Sequence, residues 1–384
     1  MKNVTVLTTS RSDYDLLSGV ISEFKNNKNF KTSLIVSGSH FDKRFGKTYK
    51  RILEDKFKID HKIELSYKNL SKINLVKNLS KLSEGLALFF KNNKQDLFII
   101  LGDRHETLCA AFIANFNNIP IAHIGGGEIT EGSQDDCYRH AISKLSNIHF
   151  VSHPSHKKRL IQLGEKKETI FITGNLGVEN LKKDNLLTKN EIEKDIGIKL
   201  KDKNFFVTYH PETINLNQNL KFIKILLESF LAFDNYNVFI TSPNADSGSH
   251  EVTQFINKFI KINKNFYFFK NLGRVKYFSL IRVCNLYIGN SSSGIVEVPS
   301  LKKITLNLGN RQKGRLKAKS VIDIDFNKKR IISTIKKYLN TKNNNFYFSN
   351  PYERANPSKT IVSKISKYNL EKIFPKEFIN LKKY

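Results

Sequence analysis

Short apolar runs alternate with longer helix-like stretches along this chain of 384 residues, and several of these runs end at glycine or acidic residues. Residues 96–101 form one such run, which leads directly into Gly102 and Asp103. A run of this length indicates a strand that is buried on both faces, and strands that alternate with helices form parallel sheets. The pattern therefore predicts an α/β protein built on doubly wound sheets.

Two series of predicted strands divide the chain. The first comprises residues 4–8, 33–36, 97–101, 119–124, 148–152 and 169–172, and the second comprises residues 205–208, 238–241, 266–269, 286–288 and 303–306. A chain of this length exceeds what one hydrophobic core usually serves. We therefore expect two Rossmann-like domains that face a cleft, residues 1–178 and 179–384. The last predicted helix, within about residues 358–384, has no strand after it and is expected to cross back to the first domain.

The charge of the chain is strongly basic, because 64 lysines and arginines stand against 35 acidic residues and give a net charge of +29. Such an excess occurs in proteins that bind nucleic acids or acidic membranes. Here the lysines are spread along the chain, often beside asparagine, and no arginine-rich or zinc-finger segment occurs. We attribute the charge to compositional bias and expect neither a nucleic-acid nor a membrane partner.

The cellular location is predicted from three features. The chain has three cysteines, an odd number that does not form a complete set of disulfides, and their spacing matches no metal-binding motif. Such cysteine usage is typical of a reducing compartment. No apolar run approaches 18 residues, the length that indicates a membrane span. Residues 1–11 turn polar too early for a signal peptide. These features predict a cytoplasmic protein with free thiols.

Acidic, basic and glycine residues crowd the segment 101–149. Asp103 and Arg104 follow one predicted strand, and three consecutive glycines and Glu128 follow the next. Open parallel sheets bind ligands at this edge. Asp135 and Arg139 are four apart, as are Asp136 and His140, so that on a helix each pair shares a face. Such a pair is also typical of a solvated salt bridge, and glycines alone can mark a tight turn, but the coincidence of three acid-bearing segments favours a functional site.

A glycine- and serine-rich loop follows a predicted strand of the second series. It contains Ser292 and Ser293 and leads into a predicted helix that carries Glu297. Hydroxyls and free N–H groups at a helix start bind phosphate, although an ordinary serine-capped helix would show the same residues. His210 and Arg311 follow two other strands of this series, would reach the same edge, and favour a diphosphate site.

Several short motifs occur in a fixed order along nearly the whole chain. They are Ser10-Arg11-Ser12-Asp13-Tyr14, Ser37-Gly38-Ser39-His40, Gly102-Asp103-Arg104, Gly126-Gly127-Glu128, Asp135-Asp136 with Arg139-His140-Ala141-Ile142, Thr208-Tyr209-His210-Pro211, Pro243-Asn244-Ala245-Asp246, Gly289-Asn290-Ser291-Ser292, Glu297, and Arg311-Gln312 with Gly314-Arg315. In this order they resemble the hydrolysing UDP-N-acetylglucosamine 2-epimerases, in the branch that feeds sialic-acid and legionaminic-acid synthesis. Ser10 stands where that family more often has Gly-Thr, and Gly125 stands where a histidine or glutamate often precedes Gly-Gly-Glu.

The resemblance implies a glycosyltransferase-B-like fold and a two-step reaction with no metal or organic cofactor. Elimination releases the nucleoside diphosphate and leaves a 2-acetamidoglucal, and water then adds to give a free manno-configured sugar. Asp103, Glu128 and Asp135 are the implied acid/base groups, with acid and base not distinguished, and His210 is an implied catalytic residue at the leaving phosphate. The implied substrate-binding residues are Arg11, Ser292, Ser293 and Arg311 at the phosphates, Glu297 at the ribose, His40 and Arg139 at the sugar, and Arg104.

The resemblance leaves the substrate open between UDP-N-acetylglucosamine and a UDP- or GDP-linked 2,4-diacetamido-2,4,6-trideoxyglucose. It also implies a homodimer or homotetramer. Two other classes stay open from the sequence. A retaining glycosyltransferase of the same fold would transfer the sugar to an acceptor, and a basic nucleic-acid-binding protein would show strongly salt-dependent binding without turnover.

Overall fold

The computed structural model describes residues 1–67, 71–212, 216–243, 248–339, 348–370, 373–377 and 379–380. The chain divides into two compact units, of which the first comprises Met1–Glu128, Asp135–Asn180 and Tyr352–Tyr384, and the second comprises Ile129–Gln134 and Leu181–Pro351. Residues 244–246 of the predicted Pro243 motif lie outside the described residues, as do residues 371–372, 378 and 381–384 of the predicted C-terminal helix.

A parallel sheet forms the centre of the first unit. In chain order its elements are β1 (Lys2–Thr8), α1 (Arg11–Lys25), β2 (Phe30–Val36), α2 (Tyr49–Glu54), β3 (His61–Lys62), α3 (Lys72–Asn92), β4 (Leu97–Leu101), α4 (His105–Phe116), β5 (Ile121–Ile124), α5 (Asp135–Leu145), β6 (Ile148–Val151), α6 (Pro154–Gln162), β7 (Ile170–Ile172) and α7 (Leu176–Lys183), whose last residues belong to the second unit. The strand order is β3-β2-β1-β4-β5-β6-β7, and all neighbouring pairs are parallel. The chain order reverses between β1 and β4, which is where open α/β sheets bind ligands.

Alternating strand residues cover the two faces of this sheet. Val4 and Val6 pack into one hydrophobic cluster with residues of α1, whereas Phe98 and Ile100 pack into another with residues of α3 and α4. This is the period-2 alternation of a strand that is buried on both faces. The first cluster also contains Ile361, from the last helix of the chain, so this helix completes the layer that α1 begins.

A second parallel sheet forms the centre of the second unit. Its elements are α8 (Lys189–Ile196), β8 (Lys203–Thr208), α9 (Asn219–Ser229), β9 (Tyr236–Thr241), α10 (Ser249–Ile262), β10 (Phe266–Phe269), α11 (Gly273–Val283), β11 (Leu286–Gly289), α12 (Ser292–Val296), β12 (Ile304–Leu308), β13 (Val321–Ile324) and α13 (Lys328–Leu339), and α14 (Pro357–Lys367) then returns to the first unit. The strand order is β10-β9-β8-β11-β12-β13, again all parallel. Here the chain order reverses between β8 and β11.

The structure confirms the predicted α/β fold with two parallel sheets. Each predicted strand occurs, with ends that differ by at most three residues. The strand predicted at residues 119–124 begins only at Ile121, because Pro120 has no N–H to donate to a sheet. The edge strands β3 and β13 were not predicted, since β3 has only two residues and Asp323 interrupts the apolar run of β13.

The described residues also form short 3-10 helices. They lie at Gly38–Phe41, Lys43–Phe45, Lys167–Thr169, Leu216–Gln218, Phe230–Ala232 and Val298–Leu301. The three cysteines are free thiols. Within the described ranges, no helix combines the length and the apolar character needed to cross a membrane.

Candidate active site

The turn after β4 places Asp103 at the carboxyl edge of the first sheet. Gly102 makes this turn with a φ of +84°, a conformation that glycine adopts without a steric penalty. His123, at the end of β5, fixes the same turn, because its Nε2 lies 2.8 Å from the Gly102 carbonyl oxygen. Burial lowers the pKa of His123 to about 3, so the imidazole is neutral at pH 7 and its Nε2–H donates to that carbonyl. His123 is thus a core histidine that supports the site.

Arg139 joins the ends of two strands to the helix α5. The side chain is buried, and its guanidinium forms an ion pair with the Asp103 carboxylate. Its Nη1 lies 3.0 Å from Asp136 Oδ1 and donates to the Glu128 carbonyl oxygen over 3.1 Å. A buried guanidinium is stable only when charges and acceptors compensate its lost hydration. Arg139 therefore fixes the positions of the Asp103 side chain and the Glu128 backbone relative to each other.

Two basic residues of α5 lie beside acidic groups. Arg139 pairs with Asp136, three residues away, and with Asp103 from another strand end. His140 does lie beside Asp136, with Nε2 and Oδ2 3.5 Å apart, as the spacing of four predicted. Asp135 is the first residue of α5, where the partial positive charge of a helix start stabilises an acidic side chain.

The three consecutive glycines allow Glu128 to follow β5 in a crowded corner. Gly127 has a φ of +75°, and a Cβ added there would lie 2.5 Å from the His156 carbonyl oxygen. The Arg159 guanidinium donates to the Gly127 carbonyl oxygen. Glu128 itself is buried, and Ser152 Oγ donates to its Oε1 over 3.3 Å. The glycines thus give the backbone the close approach that places Glu128 beside β6.

The ends of β1 and β2 carry Arg11 and His40. Arg11 is the first residue of α1, after the N-cap Ser10. His40 is fully buried, with Nε2 3.0 Å from Thr8 Oγ1 and Nδ1 2.9 Å from Thr48 Oγ1. Burial lowers the pKa of His40 to about 3. Both ring nitrogens are therefore engaged by hydroxyls, and the predicted contact of His40 with the sugar stays a prediction.

A second charged cluster, beside the switch point of the first sheet, was not predicted. Arg104 Nε lies 3.2 Å from Glu106 Oε2, and Tyr67 donates its hydroxyl to Glu106 Oε1 over 2.8 Å. Burial alone would raise the pKa of Glu106, but Arg104, His105 and Tyr67 lower it to about 2. Asp13 is also buried, and burial raises the pKa of its carboxyl against the opposing effect of Arg104.

The cluster could be found only in part from the sequence. Asp13 lies within one of the sequence motifs and Glu106 lies two residues after another, each in the first turn of a helix. Tyr67 comes from an irregular segment, and its pattern gives no sign of a contact with a residue 39 positions away.

The second unit brings its predicted residues to the switch point between β8 and β11. His210 follows the end of β8, and Ser292 and Ser293 are the first residues of α12, after β11. Arg311 follows β12, and its Nη1 donates to the Asn290 carbonyl oxygen over 3.2 Å. These side chains therefore originate at one edge of one sheet.

The helix α12 is shorter than the sequence suggested. It has five residues, Ser292–Val296, and Glu297 follows its last residue instead of lying inside the helix. A helix of little more than one turn has a small macrodipole. Binding of a phosphate here would therefore depend mainly on hydroxyls, backbone N–H groups and the Arg311 guanidinium.

Known proteins resemble this chain over almost its whole length. The family model for UDP-N-acetylglucosamine 2-epimerase matches residues 22–366. The chain belongs to the UDP-N-acetylglucosamine 2-epimerase family. Among similar relatives, the GDP/UDP-N,N'-diacetylbacillosamine 2-epimerase (hydrolyzing) of Campylobacter jejuni is 37% identical over 99% of this chain and 99% of its own length. The UDP-N,N'-diacetylbacillosamine 2-epimerase (hydrolyzing) of Legionella pneumophila is 32% identical over 88% of this chain and 89% of its own length.

Solved structures of the epimerase family share the fold of this chain. The crystal structure of UDP-GlcNAc 2-epimerase from Neisseria meningitidis bound to UDP-GlcNAc aligns with a TM-score of 0.80 and 21% identity, over 96% of this chain and 100% of that one. This likeness supports the glycosyltransferase-B-like architecture that the sequence motifs implied.

Proposed function

We propose that this chain is a hydrolysing 2-epimerase that acts on a UDP- or GDP-linked 2,4-diacetamido-2,4,6-trideoxyglucose, which is N,N'-diacetylbacillosamine. The observation that carries the proposal is the end-to-end identity of 37% with the Campylobacter jejuni enzyme named for this substrate. The Legionella pneumophila relative, whose name gives the UDP-linked form of the same sugar, supports it independently. The reaction would release the nucleoside diphosphate and the free manno-configured diacetamido sugar.

The chemistry requires acid/base groups on both faces of the sugar ring. Cleavage of the C1–O bond gives C1 oxocarbenium character, which acidifies the hydrogen on C2. A carboxylate removes this proton, and the resulting glycal then takes up water at C1 and a proton at C2 from the opposite face. Asp103, Glu128 and Asp135 are the candidates in this chain, and positioned carboxyl groups are common general acids and bases.

The first unit supports these roles because it restrains two of the three carboxyl-bearing residues. Arg139 pairs with the Asp103 carboxylate and binds the Glu128 backbone, and Ser152 binds the Glu128 carboxyl group. Proton transfer requires a donor and an acceptor that are already within hydrogen-bond reach. We therefore propose that Arg139 acts by holding the carboxyl groups at the ends of β4 and β5.

The second unit would supply the groups that bind the leaving diphosphate. We assign phosphate contacts to Ser292, Ser293 and Arg311, and a contact with the ribose to Glu297. Donors fixed in advance stabilise the charge that develops on a leaving phosphate. His210 lies at the same sheet edge and is proposed to donate a hydrogen bond to an oxygen of the leaving phosphate. Arg11, on the first unit, is proposed as a further phosphate ligand.

UDP-N-acetylglucosamine is the second candidate substrate. It is favoured by the description of the family model and by the Neisseria meningitidis relative, a UDP-N-acetylglucosamine 2-epimerase that is 28% identical over 87% of this chain. The two candidates differ at C4 and C6 of the sugar and, for the GDP form, in the base. They share the diphosphate, so the residues of the second sheet edge serve both.

The experiment is a comparison of kcat/KM for nucleoside diphosphate release from UDP- and GDP-linked N,N'-diacetylbacillosamine and from UDP-N-acetylglucosamine. The proposal predicts that a trideoxy substrate is preferred by at least about tenfold, which corresponds to about 1.4 kcal/mol of transition-state binding. A preference for UDP-N-acetylglucosamine would move the assignment to the second candidate. Release from none of the three substrates would contradict the epimerase assignment itself.

We also propose that the chain forms a homo-oligomer. The proposal is supported by the helix α4, on which Phe112 and Phe116 stack on each other although they are 57% and 75% exposed. Adjacent exposed aromatic side chains are typical of protein–protein contact surfaces.

A further inference from the structure

Asn290 occupies the switch point of the second sheet, where β11 and β8 come close together. The preceding residue, Gly289, has a φ of +149°, and a Cβ added there would overlap the Thr208 carbonyl oxygen. The backbone N–H of Asn290 donates to that same carbonyl over 3.1 Å. Asn290 is fully buried, so each of its polar groups requires a partner inside the protein.

The Asn290 side chain pairs with the backbone of His210 through two hydrogen bonds. The Oδ1 atom accepts from the His210 N–H over 2.7 Å, and Nδ2 donates to the His210 carbonyl oxygen over 2.8 Å. This closed pair resembles one step of a sheet ladder, although the two residues are 80 positions apart. The two hydrogen bonds fix the backbone N–H and the backbone carbonyl of His210.

The backbone carbonyl of Asn290 receives two further side chains. Arg311 Nη1 donates to it over 3.2 Å, and Gln312 Nε2 donates over 2.9 Å. Gln312 is itself buried, so its hydrogen bond is shielded from water and helps to fix the segment that carries Arg311. A single residue therefore binds both the backbone of His210 and the side chain of Arg311.

We infer that Asn290 is a positioning residue, which fixes the imidazole of His210 and the guanidinium of Arg311 relative to each other so that both can bind the leaving diphosphate. The inference rests on the proposed function. Asn290 itself has no contact with substrate in this role. A carboxamide is required, because it presents an acceptor and a donor at once.

Two substitutions of Asn290 separate the need for its side-chain acceptor from the need for its side-chain donor. In Asn290→Asp the carboxylate keeps the acceptor for the His210 N–H but has no donor for the His210 carbonyl oxygen. In Asn290→Ala both backbone groups of His210 lose their partner in a buried environment, which is costly. Asn237→Ala is the matched control. Asn237 is equally buried in the same sheet but lies near the start of β9, at the opposite edge, where its Nδ2 donates to the Lys199 carbonyl oxygen over 2.9 Å.

The test measures kcat, KM and the affinity for UDP and GDP by calorimetry in these variants. We expect Asn290→Asp to lower kcat by about 100-fold, the size of loss that follows from a misplacement of about 1 Å, and to weaken nucleoside diphosphate binding. Asn237→Ala should lower the melting temperature but leave kcat unchanged. If Asn290 had a merely structural role, Asn290→Asp would behave like Asn237→Ala: the melting temperature would fall and kcat would stay unchanged.

A double-variant cycle with His210→Ala supplies the decisive comparison. If Asn290 acts through His210, Asn290→Asp should lower kcat much less in the His210→Ala background than in the wild type, because coupled residues are not additive. An equal loss in both backgrounds, or a kcat near the wild-type value in Asn290→Asp, would overturn the inference.

Other outcomes are also decisive. If Asn290→Asp and Asn290→Ala fail to fold, Gln312→Met releases one hydrogen bond to the Asn290 carbonyl without changing Asn290, and an unchanged kcat in that variant would overturn the inference. If the wild type turns over no nucleotide sugar but binds UDP or GDP, the proposed function fails, and the inference is judged on nucleoside diphosphate affinity. If the wild type binds neither, both fail.

Discussion

At the scale of single residues, the site of the first unit depends on one buried cation. Arg139 is only 1% exposed and joins the Asp103 carboxylate, the Asp136 carboxylate and the Glu128 carbonyl. These partners come from two strand ends and a helix start. Because the guanidinium is planar and has five donors, it can serve all three at fixed angles.

Arg139→Lys should therefore impair catalysis while leaving the diphosphate site intact. A lysine ammonium is a compact point charge and cannot replace this fork of donors. We expect kcat to fall by about 100-fold, with UDP or GDP affinity largely unchanged, since the proposed phosphate ligands apart from Arg11 lie on the second unit. Steady-state kinetics and calorimetry measure the two quantities.

The control for Arg139→Lys is Arg51→Lys. Arg51 makes an exposed pair with Asp55, at 3.3 Å and four residues apart, and such pairs contribute little. This control should keep the wild-type kcat. A kcat near the wild-type value in Arg139→Lys would show that the three bonds of the guanidinium do not position the carboxyl groups.

The buried histidines predict how stability depends on pH. His40 and His123 have folded-state pKa values of about 3 because of burial, against an unfolded value of about 6.5. Between these values the unfolded state binds more protons than the folded state. Their stabilising effect is thus complete above pH 6.5 and is lost as the pH falls towards 3, by at most about 1.4 kcal/mol per pH unit for each histidine.

Denaturant unfolding at pH 7 and pH 5 checks this prediction. The free energy of unfolding should be lower at pH 5, and His123→Asn should reduce the difference between the two pH values by one histidine's share. Glu106 does not interfere, because its pKa is lowered to about 2 and it loses its stabilising effect only below about pH 4.5. An equal free energy of unfolding at both pH values would contradict neutral, buried imidazoles.

The sequence predicted the residue types of the site better than their partners. Asp103, Glu128 and Asp135 could be selected because each follows a strand or begins a helix. The ion pair between Asp103 and Arg139 could not be predicted, because it joins residues 36 positions apart and depends on the order of β4 and β5 in the sheet. Local spacing did predict that Asp136 and His140 lie side by side.

At the scale of elements, glycine turns bring the site residues to the sheet edges. Gly127 combines a left-handed backbone with close contact to α6. Gly197, the C-cap of α8, has a similar φ of +70° but no atom within 4 Å of the Cβ position. A comparison of alanine substitutions at the two positions therefore separates the cost of the left-handed backbone from the cost of steric overlap.

Gly127→Ala should destabilise the protein more than Gly197→Ala. Both variants place an alanine in the left-handed region, at a cost of roughly 1–2 kcal/mol. Only Gly127→Ala also forces a Cβ against the His156 carbonyl oxygen, and such overpacking adds roughly 1–3 kcal/mol. Thermal unfolding of the two variants measures the difference, and equal melting temperatures would show that the turn relaxes without strain.

The bounds of some elements were predicted more accurately than those of others. The pattern at residues 97–101 gave the bounds of β4 without error, since a continuous apolar run has sharp ends. The helix α12 was overestimated, because Pro299 and the 3-10 turn at Val298–Leu301 end it early. Serine and glycine at the start of a helix do not reveal where it ends.

At the scale of the whole molecule, the chain passes between its two units at four points. Three of them lie after Glu128, Gln134 and Asn180, and the fourth lies after Pro351. The length and the two series of strands predicted two parallel sheets. The assignment of Ile129–Gln134 to the second unit could not be predicted, because these six residues show no hydrophobic period and their place depends on tertiary contacts.

Those contacts include a close approach of two backbones. Glu131 donates its N–H to the Lys313 carbonyl oxygen over 3.0 Å, and the Lys313 ammonium lies 2.9 Å from Glu131 Oε2. A Cβ added to Gly132 would overlap the Asn310 carbonyl oxygen. The segment that connects Glu128 with Asp135 is thus held by the loop that carries Arg311.

The proposed homo-oligomer predicts a solution mass that is a multiple of 44.3 kDa. Phe116→Ser should shift the mass measured by light scattering towards the monomer, because it removes the most exposed aromatic side chain of α4 from the contact surface. Leu231→Ser, at a position of the second unit that is 49% exposed, is the control and should leave the mass unchanged. A monomeric wild type would contradict the oligomer, and an unchanged mass in Phe116→Ser would exclude α4 as its interface.

The central test is to follow the reaction by proton NMR in deuterated water, without added metal, using UDP- or GDP-linked N,N'-diacetylbacillosamine. An elimination followed by hydration predicts a free manno-configured sugar that carries deuterium at C2, together with the nucleoside diphosphate. The same product should be absent in Asp103→Asn. Release of a free gluco-configured sugar that retains its C2 hydrogen would instead show simple hydrolysis, and would contradict the 2-epimerase.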